Sequence, residues 1–292
     1  MKNLVRNVIR VIIVFAGFLF TFNLPYLFGI GKNNKFEINV IPFWQMVKAN
    51  FLYLLQIKDP RYLGYFKQYS IMENYKYSMT LLLISLAAVI LIAVSISISV
   101  MLAPKNMREH LIKGIHFFEA VPDLLVIFSI QFLVISFYKS TGFRIFQLYG
   151  FFGAKPYFIP IVAVSFLPIF LLSQFLIKVI MEEQSKVYVL YVKAKGMGRL
   201  RILFVHIFRN IFSLVLLQLR TVVWVILSNI YLLEYMFDIN GFTRIFQKIV
   251  FIHADIASLV VCLLMFALPL VAVEAGAWLL SRRMKGKEAA GL

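Results

Sequence analysis

Apolar residues fall in long runs separated by short polar, basic segments. A helix rises about 1.5 Å per residue and needs about 20 residues to cross a hydrocarbon layer roughly 30 Å thick. Six runs reach that length, at 11–30, 77–103, 115–138, 156–181, 211–234 and 252–281. The pattern predicts an all-α polytopic membrane protein of six transmembrane helices, in one domain over residues 1–292. The first run is longer than the apolar core of a signal peptide, and Phe28-Gly29-Ile30-Gly31 lacks the small-residue pattern of a cleavage site. It is therefore expected to stay as the first helix. Residues 31–76 form the one long outer loop. Within it Phe43, Met46, Val47, Phe51, Leu54 and Leu55 recur near helical spacing. That spacing predicts a short helix, either lying on the outer membrane surface or packed on neighbouring spans.

Composition agrees with the pattern. The chain is 62% hydrophobic and 15% charged, with mean hydropathy +0.87, so it lacks the polar residues to cover a soluble globule. Lys and Arg number 30 against 13 Asp and Glu. No separate basic domain exists, so this excess points to lipid headgroups and membrane orientation rather than to nucleic acid. With the N-terminus inside, the inner segments carry 16 Lys and Arg and the outer ones 12 over a greater length. Both termini are expected to be cytoplasmic. The lone Cys262 lies in an apolar run and reads as a packed thiol.

The inner loop at 182–210 is the most informative segment. Val187, Leu190, Tyr191 and Ala194 form one helical stripe, and Leu200, Leu203, Phe204, Ile207 and Ile211 form a second. Gly196 and Gly198 stand between them, where a helix can end in the left-handed region and the chain can turn. Lys193, Lys195, Arg199 and Arg201 surround the bend. The product is a basic helical hairpin, suited either to anionic lipid or to a soluble partner.

The sequence Tyr191-Val192-Lys193-Ala194-Lys195-Gly196-Met197, with Arg209-Asn210 before the fifth run, resembles the EAA loop of ABC-importer permeases. The form is that of the dipeptide, oligopeptide and nickel permeases. Leu233-Glu234-Tyr235-Met236-Phe237-Asp238-Ile239-Asn240-Gly241-Phe242 is similar to the segment that follows the fifth span in that family. Asn240 stands where the family has proline and Thr243 where it has a second glycine. The resemblance implies a type I importer permease fold with a cytoplasmic coupling helix. Tyr191, Lys193, Ala194, Lys195, Gly196, Met197 and Leu200 would then dock on an ATPase. It implies two ABC ATPase subunits carrying the ATP and Mg, a second homologous permease subunit and an extracytoplasmic solute-binding protein. The setting would be a bacterial cytoplasmic membrane and the cargo a peptide. A six-span anchor recruiting a soluble partner through the same hairpin is the alternative.

No G-x-x-x-x-G-K-[ST] sequence occurs, so no P-loop holds nucleotide on this chain. H-E-x-x-H and G-x-S-x-G are missing too, and no catalytic activity is expected. Charges within spans cost about 2.5–3.5 kcal/mol each on insertion scales, so each needs a reason. Arg220, Ser228, Asn229 and Asp123 are candidates for the translocation path. Arg220 could equally fix packing through Glu119, Asp123 or Glu274. His116, Glu119 and Asp123 at i, i+3 and i+7 of the third run share one face, which opens a metal-binding reading; His116 and Glu119 near its cytoplasmic end read better as ordinary interfacial polar residues, and no metal site is expected.

Overall fold

The computed structural model describes residues 2–30, 36–55, 64, 68–143, 155–253 and 255–289. Contacts divide the chain into two compact units, Met1–Ser70 with Phe246–Leu264, and Ile71–Ile245 with Met265–Leu292.

In the smaller unit, α1 (Lys2–Asn23) leads through a 3-10 turn, Leu24–Leu27, into β1 (Phe28–Ile30), which pairs antiparallel with β2 (Phe36–Ile38). Phe28 lies opposite Ile38 and Gly29 opposite Glu37. This small sheet is a correction to the all-α expectation, and the first helix stops at Asn23 instead of running to Ile30. The cause is local. The buried Asn23 donates its side-chain amide to Leu19 O at 2.8 Å and accepts from Asn50 Nδ2 at 2.8 Å. Pro25 then opens the tighter turn, where its missing N–H is tolerated. The short outer helix is present as α2 (Val40–Leu55). It packs on α1, with Phe43 buried edge-on to Phe20 at 5.2 Å, while Trp44, Phe51 and Leu55 stay exposed.

The larger unit is a helical bundle. Its elements are α3 (Ile71–Leu102), α4 (Lys105–Glu119), α5 (Asp123–Thr141), α6 (Phe158–Gln184), α7 (Val187–Ala194) and α8 (Arg199–Met236). A short α9 (Phe242–Lys248) and a π-helical turn (Ile249–His253) precede the last helix, α10 (Ile256–Ala289), and all three straddle or border the division between units. Among the described residues, five stretches are long and apolar enough to cross a membrane: α3, α5, α6, α8 and Ile256–Leu280 of α10. The apolar part of the first helix, Ile13–Leu27, is shorter.

The expected third span at 115–138 is corrected, because the helix breaks at Ala120–Pro122 and the membrane-length part begins at Asp123. Pro122 cannot donate to a continuing ladder and pushes the preceding residue out of the helical region. The preceding α4 carries Lys105, Arg108, Glu109 and Lys113 and is too polar to be a span. Asp123 therefore sits on a different helix from His116 and Glu119, and the shared face on which the metal reading rested does not exist.

Helices α3, α6 and α8 form the core, where Leu81, Val89, Leu172, Leu176, Val222 and Ile226 are all buried. Between α3 and α6 the contact surface is made of small residues. Ser85, Ala93 and Ser97 on α3 are fully buried, as is Ser173 on α6. Ser97 Oγ donates to Ala93 O at 2.7 Å and lies 3.3 Å from Ser173 O across the interface. In lipid, helix association has no hydrophobic drive, so close backbone approach through small residues supplies the attraction. Leu83, Leu91, Phe128, Phe132, Leu217 and Trp224 point outward, leaving an apolar surface that needs lipid or another subunit to cover it.

Replacing Ser97 by Leu should therefore destabilise the bundle by about 1–3 kcal/mol through overpacking, while Ser97→Ala should cost below about 1 kcal/mol. Thermal unfolding in detergent, followed by intrinsic fluorescence, would measure both. Equal midpoints for the two variants would rule out close packing at this point.

Candidate functional site

The loop between α6 and α8 is the bent hairpin that its sequence predicts. Helix α7 ends at Ala194, Lys195 N bonds to Tyr191 O at 3.2 Å, and Gly196 N bonds to Lys193 O at 2.9 Å. Gly196 takes φ +76°, the left-handed region that disfavours a Cβ. Gly198 is extended and starts α8, where Ile202 N bonds to Gly198 O at 3.1 Å. From there α8 runs into the fifth span without a break, through a π-helical segment over Ile202–Ile207. The bend is thus joined by continuous helix to a membrane-length span.

One carboxylate holds both ends of this loop. Glu183, buried at the end of α6, accepts from Tyr188 Oη at 2.7 Å and from Asn210 Nδ2 at 3.3 Å, and pairs with Lys186 Nζ. Tyr188 belongs to α7 and Asn210 to α8, so three helices converge on one side chain. Burial, and then the hydrogen bond to Glu183, push the Tyr188 phenol up to about 12. The hydroxyl stays protonated and available as the donor.

Side-chain placement on α7 differs in one respect from the simplest reading of its stripe. Val189 and Val192 are buried and anchor the helix, whereas Val187, Leu190 and Tyr191 are 81%, 54% and 61% exposed. Lys193, Ala194, Lys195, Gly196 and Leu200 are exposed as well, and Met197 is half-buried. The predicted docking residues are thus mostly exposed around the bend, with Lys193 and Met197 also lining a cavity beneath it and Lys195 Nζ lying 4.5 Å over the Tyr191 ring.

A second carboxylate closes the other end of α8. Glu234 is fully buried. It accepts from Ser78 Oγ of α3, from Thr243 Oγ1, and from the backbone N–H groups of Thr243 at 2.9 Å and Arg244 at 3.2 Å. The Ser78 hydroxyl in turn accepts from Phe242 N at 2.9 Å. Glu234 thus caps the first turn of α9 from nine residues away, which gives otherwise orphaned N–H groups a partner. The connecting residues turn back tightly. A Cβ on Gly241 would collide with the Glu234 carboxylate, so glycine is required there by space. On the same side of the bundle Lys155 Nζ donates to Asn74 and lies 4.8 Å over the Tyr77 ring. Burial pushes that ammonium down, and Glu234 and Glu73 oppose the shift. Glu234 lies inside the segment that carried the second resemblance, but the sequence reading gave it no role. The signal was an acidic residue closing an apolar run just before Asp-Ile-Asn-Gly.

Residues 95–286, well over half of the chain, match the family model described as binding-protein-dependent transport system inner membrane component. The chain belongs to this family. It is an inner-membrane, multi-pass permease component of an ABC importer, which sets the anchor alternative aside. None of the curated proteins compared with the chain matches it. The match takes in both the hairpin and the Glu234 turn.

The four intramembrane residues of the permease do not form one strip. Asp123 and Asn229 come together, and Asn229 Nδ2 also reaches Val164 O at 3.4 Å. One oxygen of each, Oδ1 in both cases, is buried without a hydrogen-bond partner among the described residues. Arg220 is exposed and lies 3.4 Å from Glu274, one of the partners its packing reading allowed. Ser228 faces outward. A cavity of about 620 Å³ between α4, α6 and α8 is lined by His116, Glu119, Gln174, Lys178 and Gln218 among others, with His116 Nδ1 2.8 Å from Gln174 Nε2.

A double-mutant cycle tests the Glu234 turn. Glu234→Ala strands several buried donors, and Gly241→Ala forces a clash, so each should cost about 2–4 kcal/mol. The double variant should fall short of the sum by more than about 1 kcal/mol, since removing the carboxylate makes room for the methyl. Additive costs in thermal unfolding would refute the contact.

Proposed function

We propose that this permease moves a peptide across the membrane as half of a two-subunit pore, driven by ATPase subunits that grip the hairpin over Val187–Leu200. Six spans form the membrane part, α1 supplying the first, and both termini face the cytoplasm. ATP and Mg stay on the ATPases. A second, homologous permease subunit completes the pore, and an extracytoplasmic binding protein delivers cargo to the outer side. The peptide assignment rests on the likeness of Tyr191–Met197 to the dipeptide and oligopeptide form of the loop.

The observation that carries this reading is the exposed surface of Val187, Leu190, Tyr191, Ala194 and Leu200 on a loop otherwise tied down by Glu183. A loop whose backbone is already tied to the bundle favours a preformed docking site, because less loop-ordering entropy remains to be lost on binding. A tilt imposed at Gly196 travels along α8 toward Asn229 and Asp123, where alternating access needs a change in packing. Those two residues are the strongest candidates here for contact with the path; Arg220 with Glu274 fits helix packing.

At Gly196 a Cβ meets nothing within 4 Å in this chain, so side-chain bulk there burdens the partner interface and adds only the left-handed backbone penalty to folding. That penalty is about 1–2 kcal/mol. Gly196→Asp and Leu190→Asp should leave the protein in the membrane at near-normal amount but abolish ATP-dependent uptake of labelled peptide and pull-down of the ATPase. Full uptake by both variants would overturn the docking surface. Docking preserved with no uptake of any peptide would overturn the cargo alone.

A further inference from the structure

A cavity of about 680 Å³ lies beneath the hairpin, where the end of α3, the start of α4 and the start of α8 meet. Lys105, Arg108, Lys193 and Arg199 line it, and no Asp or Glu does. Their side chains make no hydrogen bond or ion pair among the described residues, in contrast to Lys186, Arg220 and Arg244, each of which has a carboxylate. Four cations around one concavity with no carboxylate among them give it a positive potential that attracts an anion. The floor of the cavity is apolar. Met101 lies at the end of the membrane-length α3, and Leu102, Met197, Ile202, Leu203 and Ile207 complete the apolar lining below the charged rim.

We infer that this cavity binds the headgroup of an anionic phospholipid, the phosphate lying among Lys105, Arg108, Lys193 and Arg199 and the acyl chains running down past Met101 and Ile202. A free phosphate compound would use the rim and leave the apolar floor wet, which is why the lipid is the better occupant. Lys193 and Arg199 flank the bend at Gly196, and Lys105 and Arg108 belong to the helix that follows the α3 span. The lipid therefore bridges the hairpin to the membrane. It leaves the outward face of Leu190 and Tyr191 free; Lys193 and Arg199 belong to the proposed docking hairpin as well, so the K105Q/R108Q pair tests the lipid site apart from the docking surface.

The test uses the full chain purified in detergent and native mass spectrometry with equal amounts of dioleoyl phosphatidylglycerol and dioleoyl phosphatidylcholine. One phosphatidylglycerol should be retained in preference. Each charge removed in the pairs K105Q/R108Q and K193Q/R199Q should weaken it about fivefold. A control pair, K113Q/K139Q, removes the same charge elsewhere and should change nothing, and an Arg108→Lys, Arg199→Lys variant should keep most of the preference. Equal retention of the two lipids, or pocket variants that behave like the control, would overturn the site. Displacement by an equal concentration of inorganic phosphate would assign the cavity to a soluble phosphate compound. Displacement by an oligoglutamate peptide would assign it to an acidic protein segment, and either result defeats the lipid.

Discussion

The hairpin can transmit force only if its two ends are fixed to the helices that carry it, and the Glu183 carboxylate provides that fixation. A buried carboxylate without partners would be costly, and satisfying it here requires groups from α7 and α8 as well as the adjacent Lys186. The requirement is mutual. Tyr188 and Asn210 lose a partner if α7 or α8 shifts away, so the loop has one favourable geometry relative to α6. The same network holds a loop with so much exposed apolar surface against the bundle. Its inner face, Val189 and Val192, is already committed to the bundle.

Glu234 imposes a matching constraint at the far end of α8. It joins that helix to α3 through Ser78 and to the first turn of α9 through Thr243 and Arg244. Between the two carboxylates α8 packs with Val222, Val223, Ile226 and Ile230 fully buried. Of the 38 residues of this helix, the part from Asn210 to Glu234 is held at both ends and packed along its middle. The π-helical segment at Ile202–Ile207 is the exception, since an i→i+5 register is less regular and such segments gather at functional sites. It lies where the hairpin joins the span.

Much of this was legible in the residues because the membrane makes pattern decisive. Backbone groups in lipid must be satisfied within the helix, so a long apolar run has few alternatives. Gly196 marked the bend for a similar reason, the left-handed region that it takes being open chiefly to glycine. What escaped the sequence was set by single residues acting against the pattern. Pro122 splits the third run although the apolar count continues on both sides. Asn23 and Pro25 stop the first helix inside a stretch that is apolar to Ile30. The roles of Glu183 and Glu234 were hidden because their partners lie up to 27 and 156 residues away, and no spacing rule reaches that far.

The α7 stripe shows how a correct period can leave open which surface it serves. Apolar residues at i, i+3, i+4 and i+7 are ordinarily taken as the side that faces the core. In α7 both sides are apolar. The inner one is narrow, two β-branched valines that fit against the closely packed ends of α6 and α8. The outer one is broad, with Val187, Leu190 and Tyr191 all more than half exposed. A helix apolar on every side is stable only when both sides are covered, and the chain by itself covers one. The other side projects from the bundle with Lys193 and Lys195 at its edge, a mixture too polar at the rim for the hydrocarbon and too apolar at the centre for water. Such a surface has the form of a protein interface, apolar within and charged around, and it is the feature of the isolated permease that most directly demands another subunit.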